Sequence, residues 1–194
     1  MRVAAIGVSH WHSLYDSAYL VHLAGIPDTE LVAIQDENAS ITAKRAAALG
    51  NPAVYTDYRK MLAETRPDFV IALGRPSRMA ETAHHLLDQG YPFLMEEPRA
   101  ADAEEVRRAA DKAATRNAFV AVPLGQRYQP FTTRARQLLA ERRFGPISHF
   151  YVRQNRPTSA RYPAWDAPWM LDPREAGGGC LRNLGPHGLD LFLF

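Results

Sequence analysis

Residues Met1–Leu20 read MRVAAIGVSHWHSLYDSAYL, and this stretch decides the fold. Val3, Ala4, Ala5 and Ile6 form a short apolar run closed at once by Gly7. Such a run predicts a buried parallel strand feeding a tight turn. Beyond it, Leu14, Ala18, Val21 and His22 recur at helical spacing, which predicts a helix over 13–24. Strand, glycine turn and helix open a nucleotide-binding βαβ unit. A G-x-G-x-x-G frame laid on Gly7 reads Gly7, Ser9, His12, so only the first glycine remains. That glycine permits the turn; the second lets backbone approach a pyrophosphate, and the third lets the helix pack closely on the strand. Ser9 keeps a small side chain whose hydroxyl can donate to a phosphate. His12 is bulky, so the helix must stand off or start differently. Two readings stay open on the turn alone: a dinucleotide site, or an α/β domain that kept the fold and lost the ligand.

Working outward, Glu30–Asp36 (ELVAIQD) predicts a second strand ending on an acid, 24 residues after His12. In dinucleotide-binding units an acid about 20 residues after the glycines accepts hydrogen bonds from the adenosine ribose, which favours NAD over NADP. Asp36 could instead cap the helix beginning near Ala39. Phe69–Leu73 predicts another buried strand ending at Gly74-Arg75-Pro76, and Pro92–Met95 one ending at Glu96-Glu97-Pro98. Helices are expected over 39–49, 57–65, 79–89 and 103–116, with Asp57 and Asp102 at starts and Gly50 and Gly90 at ends. Phe119–Val122 completes an alternation of strands and helices that predicts a Rossmann-type doubly wound parallel sheet. Right-handed crossovers would set the loops at Gly7, Asp36, Gly74 and Glu96 along one edge, the candidate site. Arg75 there either contacts a phosphate or ribose, or points into water.

Composition narrows the class. Apolar residues make up 46% and charged residues 23% of 194 residues, as in a soluble globular protein. A net charge of +2 gives no steering toward nucleic acid or an anionic membrane. One cysteine, Cys180, excludes an internal disulfide and fits a reducing, cytoplasmic compartment. No apolar run approaches the roughly 20 residues of a membrane span, and the run after Arg2 is too short for a signal peptide.

After Pro123 the character changes, so the domains are expected at 1–123 and 124–194. Pro130–Arg142 predicts a basic helix, the alternation Ile147–Arg153 a strand, Arg156–Pro173 a long Pro- and Trp-containing loop, and Gly185–Phe194 a helix start. His10 and His12 flank Trp11, but a zinc site needs further ligands that no cysteine cluster supplies, so no metal is expected. His10 and Trp11 then line the cofactor edge or pack on the following helix. Trp165 and Trp169 offer either a sugar-stacking platform or interdomain packing. Asp190, three residues after His187, orients it or pairs locally.

These residues together resemble the Gfo/Idh/MocA oxidoreductases, named for glucose–fructose oxidoreductase, inositol dehydrogenase and a rhizopine-catabolism protein. The resemblance runs from the first strand to Phe194 and is strongest over Trp169–Asp190, WMLDPREAGGGCLRNLGPHGLD, with Glu96–Pro98 and Arg127–Pro130 fitting too. It implies an N-terminal Rossmann domain binding NAD or NADP, then an α/β domain with a large open sheet, of which 124–194 is an incomplete beginning. It implies hydride transfer to or from a sugar, inositol or similar polyhydroxylated small molecule. The family places a Lys in an E-K-P motif and an Asp-x-x-x-His pair at its active site; the matching positions here are Glu97, Asn183 and His187. The expected roles are proton exchange at His187, substrate contact by Asn183 and Trp169, and Glu97 in the lysine's place. Gly7, Ser9, His10, Asp36, Gly74, Arg75, Pro76 and Glu96 would contact the cofactor, NAD before NADP. With lysine and aspartate both replaced, a non-catalytic scaffold binding a nucleotide or partner is the alternative. The apolar end Leu189, Leu191, Phe192, Leu193 and Phe194 predicts association with another copy.

Overall fold

The computed structural model describes residues 1–98, 102–155 and 159–194. Strands β1 (Arg2–Ile6), β2 (Glu30–Gln35), β3 (Ala53–Tyr55), β4 (Phe69–Ala72), β5 (Phe93–Met95) and β6 (Val120–Ala121) form one parallel sheet ordered β3-β2-β1-β4-β5-β6. The first crossovers lead from β1 to one side and from β4 to the other, so the order reverses between β1 and β4. Alternate side chains explain why both faces need cover. Ala4 and Ile6 pack with Val70, Ala72, Phe93 and Met95 against helices α3 (Tyr58–Thr65) and α4 (Pro76–Gln89), through Met61, Leu62, Met79, Ala83, Leu86 and Leu87. Val3 and Ala5 pack with Ile34, Ile71 and Leu73 against Leu20 and Leu23 of α1 (Tyr19–Leu23) and Ala46 of α2 (Ala39–Ala48).

Register aligns the strand ends. Ile6 pairs with Gln35 and with Ala72, and Ala72 pairs with Met95. Gly7, Asp36, Gly74 and Glu96 therefore emerge along one edge, as the alternation of elements predicts.

The expected helix over 13–24 is not continuous. A 3-10 turn over Trp11–Ser13 comes first, Asp16 and Ala18 take left-handed backbone conformations, and α1 begins only at Tyr19. Local polar bonds account for the break: the Ser13 hydroxyl donates to the Val8 carbonyl at 2.9 Å, and His10 Nδ1 accepts from the His12 amide at 3.2 Å. Asp57 and Asp102 cap α3 and α5 (Ala103–Thr115) as predicted, while Asn38 rather than Asp36 caps α2.

Beyond β6 lie α6 (Pro130–Ala140), α7 (Arg161–Ala164), α8 (Pro173–Ala176) and α9 (Cys180–Leu193). Three expectations change here. Residues 147–153 form no strand, because an alternating pattern makes a ladder only beside a partner strand, and none lies there among the described residues. The described part of the expected 156–173 loop is mostly short helical turns, including a 3-10 turn over Pro168–Leu171. The last helix starts at Cys180, five residues before Gly185, and carries Pro186 inside it. Leu181, Leu189, Phe192 and Leu193 on α9 are exposed. No helix among the described residues is long and apolar enough to cross a membrane.

Candidate active site at the carboxyl edge of the sheet

Gly7 has φ +72°, and a Cβ built on it would stand 2.4 Å from Gly74 Cα and 2.5 Å from Gly74 N. The glycine is required because the turn after β1 touches the loop after β4, a backbone approach that no side chain permits. Asp36 is buried, and its carboxylate accepts from the Ser9 amide at 2.7 Å and the Asn38 amide at 3.1 Å. Its acid thus ties the β1 turn to the end of β2. The capping alternative is overturned, since Asn38 Oδ1 serves the amides of Ser40 and Ile41.

His10 is buried and stacks on Trp11 with ring centroids 3.9 Å apart. Burial, with His12 adding to it, holds its imidazole well below the ordinary value of 6.5. The ring is therefore neutral at neutral pH. His12 turns toward the other side of the turn, placing Nδ1 3.2 Å from Glu96 Oε2 and Nε2 3.7 Å from Asp16 Oδ2. Tyr19 completes this wall: burial first, then the Glu96 carboxylate, push its phenol upward. Donor atoms of His10, His12 and Glu96 lie within 4.8 Å of one another, a convergence that no sequence spacing revealed. His10 Nδ1 spends its lone pair on the His12 amide, so its proton sits on Nε2. A metal at the trio would cost that cap, either by taking the Nδ1 lone pair directly or by moving the proton onto Nδ1 to free Nε2.

The last helix approaches the same edge. His187 Nε2 lies 2.9 Å from Glu97 Oε1, so the two residues at family positions 90 residues apart in sequence meet directly. Glu97 is only 8% exposed, and its Oε2 is buried with no hydrogen-bond partner among the described residues. Asn183, one helical turn before His187, donates through Nδ2 to the Tyr162 hydroxyl at 3.4 Å. Asp190 does not orient His187. Both its oxygens accept from the Arg127 guanidinium, and that hydrogen bonding, with the carboxylate's charge behind it, pushes the Arg127 pKa upward. Pro76 is the first residue of α4, and Arg75 leans over the Trp169 ring with Nη1 3.6 Å from Glu175 Oε2.

Trp169 is 8% exposed and belongs to a cluster with Trp11 and Ala167, with Tyr15, Tyr162, Trp165 and Met170 around it. Of its two readings, packing is the one displayed. The indole nitrogens of Trp11 and Trp169 are buried without hydrogen-bond partners among the described residues. This cluster seats the 159–176 segment on the β1 turn, and Arg45 locks it there. Arg45 is fully buried on α2; Nε donates to the Val8 carbonyl at 3.1 Å and Nη2 to the Trp165 carbonyl at 2.7 Å. Sequence reasoning missed Arg45. The available signal was its place between Thr42 and Ala46, which share the buried side of α2.

A parallel sheet ordered 3-2-1-4-5-6, with a tight glycine turn after β1 and an acid after β2, defines a Rossmann-type fold, the architecture of dinucleotide-binding domains. Residues 1–124 match the family described as the Gfo/Idh/MocA oxidoreductase family with an NAD-binding Rossmann fold, and residues 132–194 match a Gfo/Idh/MocA C-terminal domain. The chain belongs to the Gfo/Idh/MocA family. It is 27% identical over 172 residues to the rhizopine catabolism protein MocA of Rhizobium meliloti, covering 88% of this chain and 51% of that protein. In fold it is similar to the WlbA dehydrogenase of Bordetella pertussis, solved with NADH and UDP-GlcNAcA (TM-score 0.79, 22% identity, 99% of this chain and 54% of that one). It is also similar to myo-inositol 2-dehydrogenase of Lactobacillus plantarum (TM-score 0.77, 20% identity, 99% and 55%). The chain spans about half the length of the curated relatives it matches.

Proposed function

We propose that the chain forms the cofactor-binding part of an NAD(H)-dependent oxidoreductase acting on a carbinol or carbonyl group of a sugar, inositol or similar small polyhydroxylated molecule. The observation that carries this reading is the 2.9 Å contact between His187 and Glu97 at the carboxyl edge of the sheet, after β5. It joins the residues at the family's catalytic positions from the two sequence regions, 1–123 and 124–194, that we assign to separate domains. The chain's groups suit a dinucleotide. The turn after β1 presses on Gly74, and the indole N–H groups of Trp11 and Trp169 are buried donors without acceptors among the described residues. Gly7, Ser9, His10, Gly74, Arg75, Pro76 and Glu96 would hold it, and the buried Asp36 carboxylate would disfavour a 2′-phosphate, so NAD is the expected cofactor. When bound, the nicotinamide supplies the hydride chemistry. The protein's part is orientation and proton transfer. Glu97 fixes the His187 ring, His187 exchanges the proton, and Asn183, seated on Tyr162, contacts the substrate together with the Trp169 segment.

Calorimetric titration of the chain with NADH and NADPH tests this. Saturable binding, tighter for NADH, is expected. Failure of a folded chain to bind either dinucleotide would favour the second reading, a non-catalytic scaffold, which rests on a carboxylate and an amide standing at the lysine and aspartate positions.

A further inference from the structure

We propose that His10, His12 and Glu96 bind a borderline divalent ion of the Zn²⁺ class in the turn after β1. The inference goes beyond the oxidoreductase reading and does not depend on it. In sequence the two histidines lacked further ligands; the fold brings them a carboxylate from 84 residues beyond His12. One ligand atom from each of the three lies within 4.8 Å of the others, the one such convergence of His, Cys, Asp and Glu side chains among the described residues. Two imidazoles and a carboxylate form a donor set that suits Zn²⁺, with a fourth position left for water or a small ligand. The arrangement is already part-way to coordination. Ligands about 2.1 Å from a tetrahedral ion stand roughly 3.4 Å apart, and His12 Nδ1 lies 3.2 Å from Glu96 Oε2. An ion there takes the place of the proton these two atoms share, and the His10 ring closes the set by a movement on the order of 1 Å. Neighbouring groups hold the ligands. The Glu97 amide donates to Glu96 Oε1 at 3.3 Å, which leaves Oε2 turned to His12. His12 Nε2 faces Asp16 Oδ2 at 3.7 Å, and ligating histidines are commonly steadied by a carboxylate at the second ring nitrogen. Glu96 and Glu97 are both buried, and a cation offsets the cost of burying carboxylates. Against this stands the His10 cap on the His12 amide. Losing one neutral hydrogen bond is about a tenfold factor in an equilibrium constant, whereas zinc coordination contributes several orders of magnitude.

The test is calorimetric titration of the 194-residue chain with Zn²⁺ near neutral pH. One equivalent should bind with micromolar or tighter affinity, and excess Mg²⁺, which prefers oxygen ligands, should not compete. Glu96→Gln and His12→Gln should each weaken binding at least tenfold. The double variant His84→Ala, His85→Ala removes an adjacent histidine pair on α4 and should bind as the native chain does. A second measurement needs no variant and so does not depend on how one folds. One equivalent of paramagnetic Co²⁺ should broaden the ring NMR signals of His10 and His12 and leave those of His84, His85 and His149 sharp. No saturable binding, or an affinity unchanged in either ligand variant, would overturn the proposal. Broadening confined to His84, His85 or His149, or binding lost in the double variant, would mean an adventitious ion only and would overturn it too. None of these readouts involves a dinucleotide, so the site and the oxidoreductase reading stand or fall separately.

Discussion

His187 on α9 and Glu97, just after β5, meet directly, with 2.9 Å between Nε2 and Oε1. The pair changes what each residue can do. With Nε2 directed at a carboxylate, that nitrogen carries a proton and serves as a donor. His187→Ala would leave Glu97 buried with neither oxygen partnered among the described residues, and losing that donor should destabilise the chain by about 3 kcal/mol. Glu97→Gln, which still accepts from Nε2–H through its amide oxygen, should cost less. Urea unfolding of both variants checks the order; a Glu97→Gln cost as large as that of His187→Ala would overturn it.

Asp36 should matter twice. Asp36→Ala strips the acceptor from the buried Ser9 amide, a loss of about 1–3 kcal/mol in unfolding free energy. It should also narrow the expected preference for NADH over NADPH. Paired calorimetry and denaturation on one sample reads both, and an unchanged cofactor ratio would take the ribose-side role away from Asp36.

Arg45→Met keeps the volume of the stem but removes donors from the Val8 and Trp165 carbonyls. We expect about 2–4 kcal/mol of destabilisation. Residues 159–176 should also become sensitive to protease at denaturant concentrations where the sheet is still folded. Cleavage patterns identical to those of the native chain would mean that the aromatic cluster alone holds the segment.

Gly7→Ala should be the most damaging single-carbon change. The added Cβ meets backbone, not a flexible side chain, at 2.4 Å, and φ is +72°. A loss above about 3 kcal/mol is expected, with failure to accumulate as folded protein as its extreme. A near-native melting temperature would show that the β1 and β4 loops can separate.

Acid should weaken the fold through His10. Burial holds its folded pKa well below 6.5, whereas the unfolded chain takes up the proton near 6.5. Between those two values the unfolded state binds more protons, so the contribution is whole above 6.5 and stability declines as pH falls below it, by at most about 1.4 kcal/mol per unit. His10→Asn keeps an acceptor for the His12 amide and should flatten this slope. Denaturant titrations at a series of pH values compare the two chains, and parallel curves would exclude His10 as the source.

The sheet was legible because its signals are local. Apolar runs such as Val3–Ile6 and Phe69–Leu73, closed by glycine or an acid, reveal buried strands, and Asp57, Asp102 and Gly90 mark helix ends through bonds within a few residues. The edge carrying Gly7, Asp36, Gly74 and Glu96 follows from strand direction and crossover hand alone. Residues 147–153 show the limit: their alternation is as regular as any strand's, yet a ladder needs a neighbour, and pairing is not a local property. The broken helix after Ser13 shows another, since short polar bonds at His10 and Ser13 outweigh helical spacing there.

Residue types and order thus determined a doubly wound parallel sheet, its carboxyl edge, and the chemistry present at positions 97, 183 and 187. Which groups meet was decided only by tertiary structure. His12 finds Glu96, His187 finds Glu97, Asn183 finds Tyr162, and Arg45 reaches Trp165 across 120 residues. Period and turn chemistry act over a few residues and fix where each backbone segment bends. Pairing of buried charges depends on strand register and on which helix face packs over it, and those are settled only when distant segments share one core.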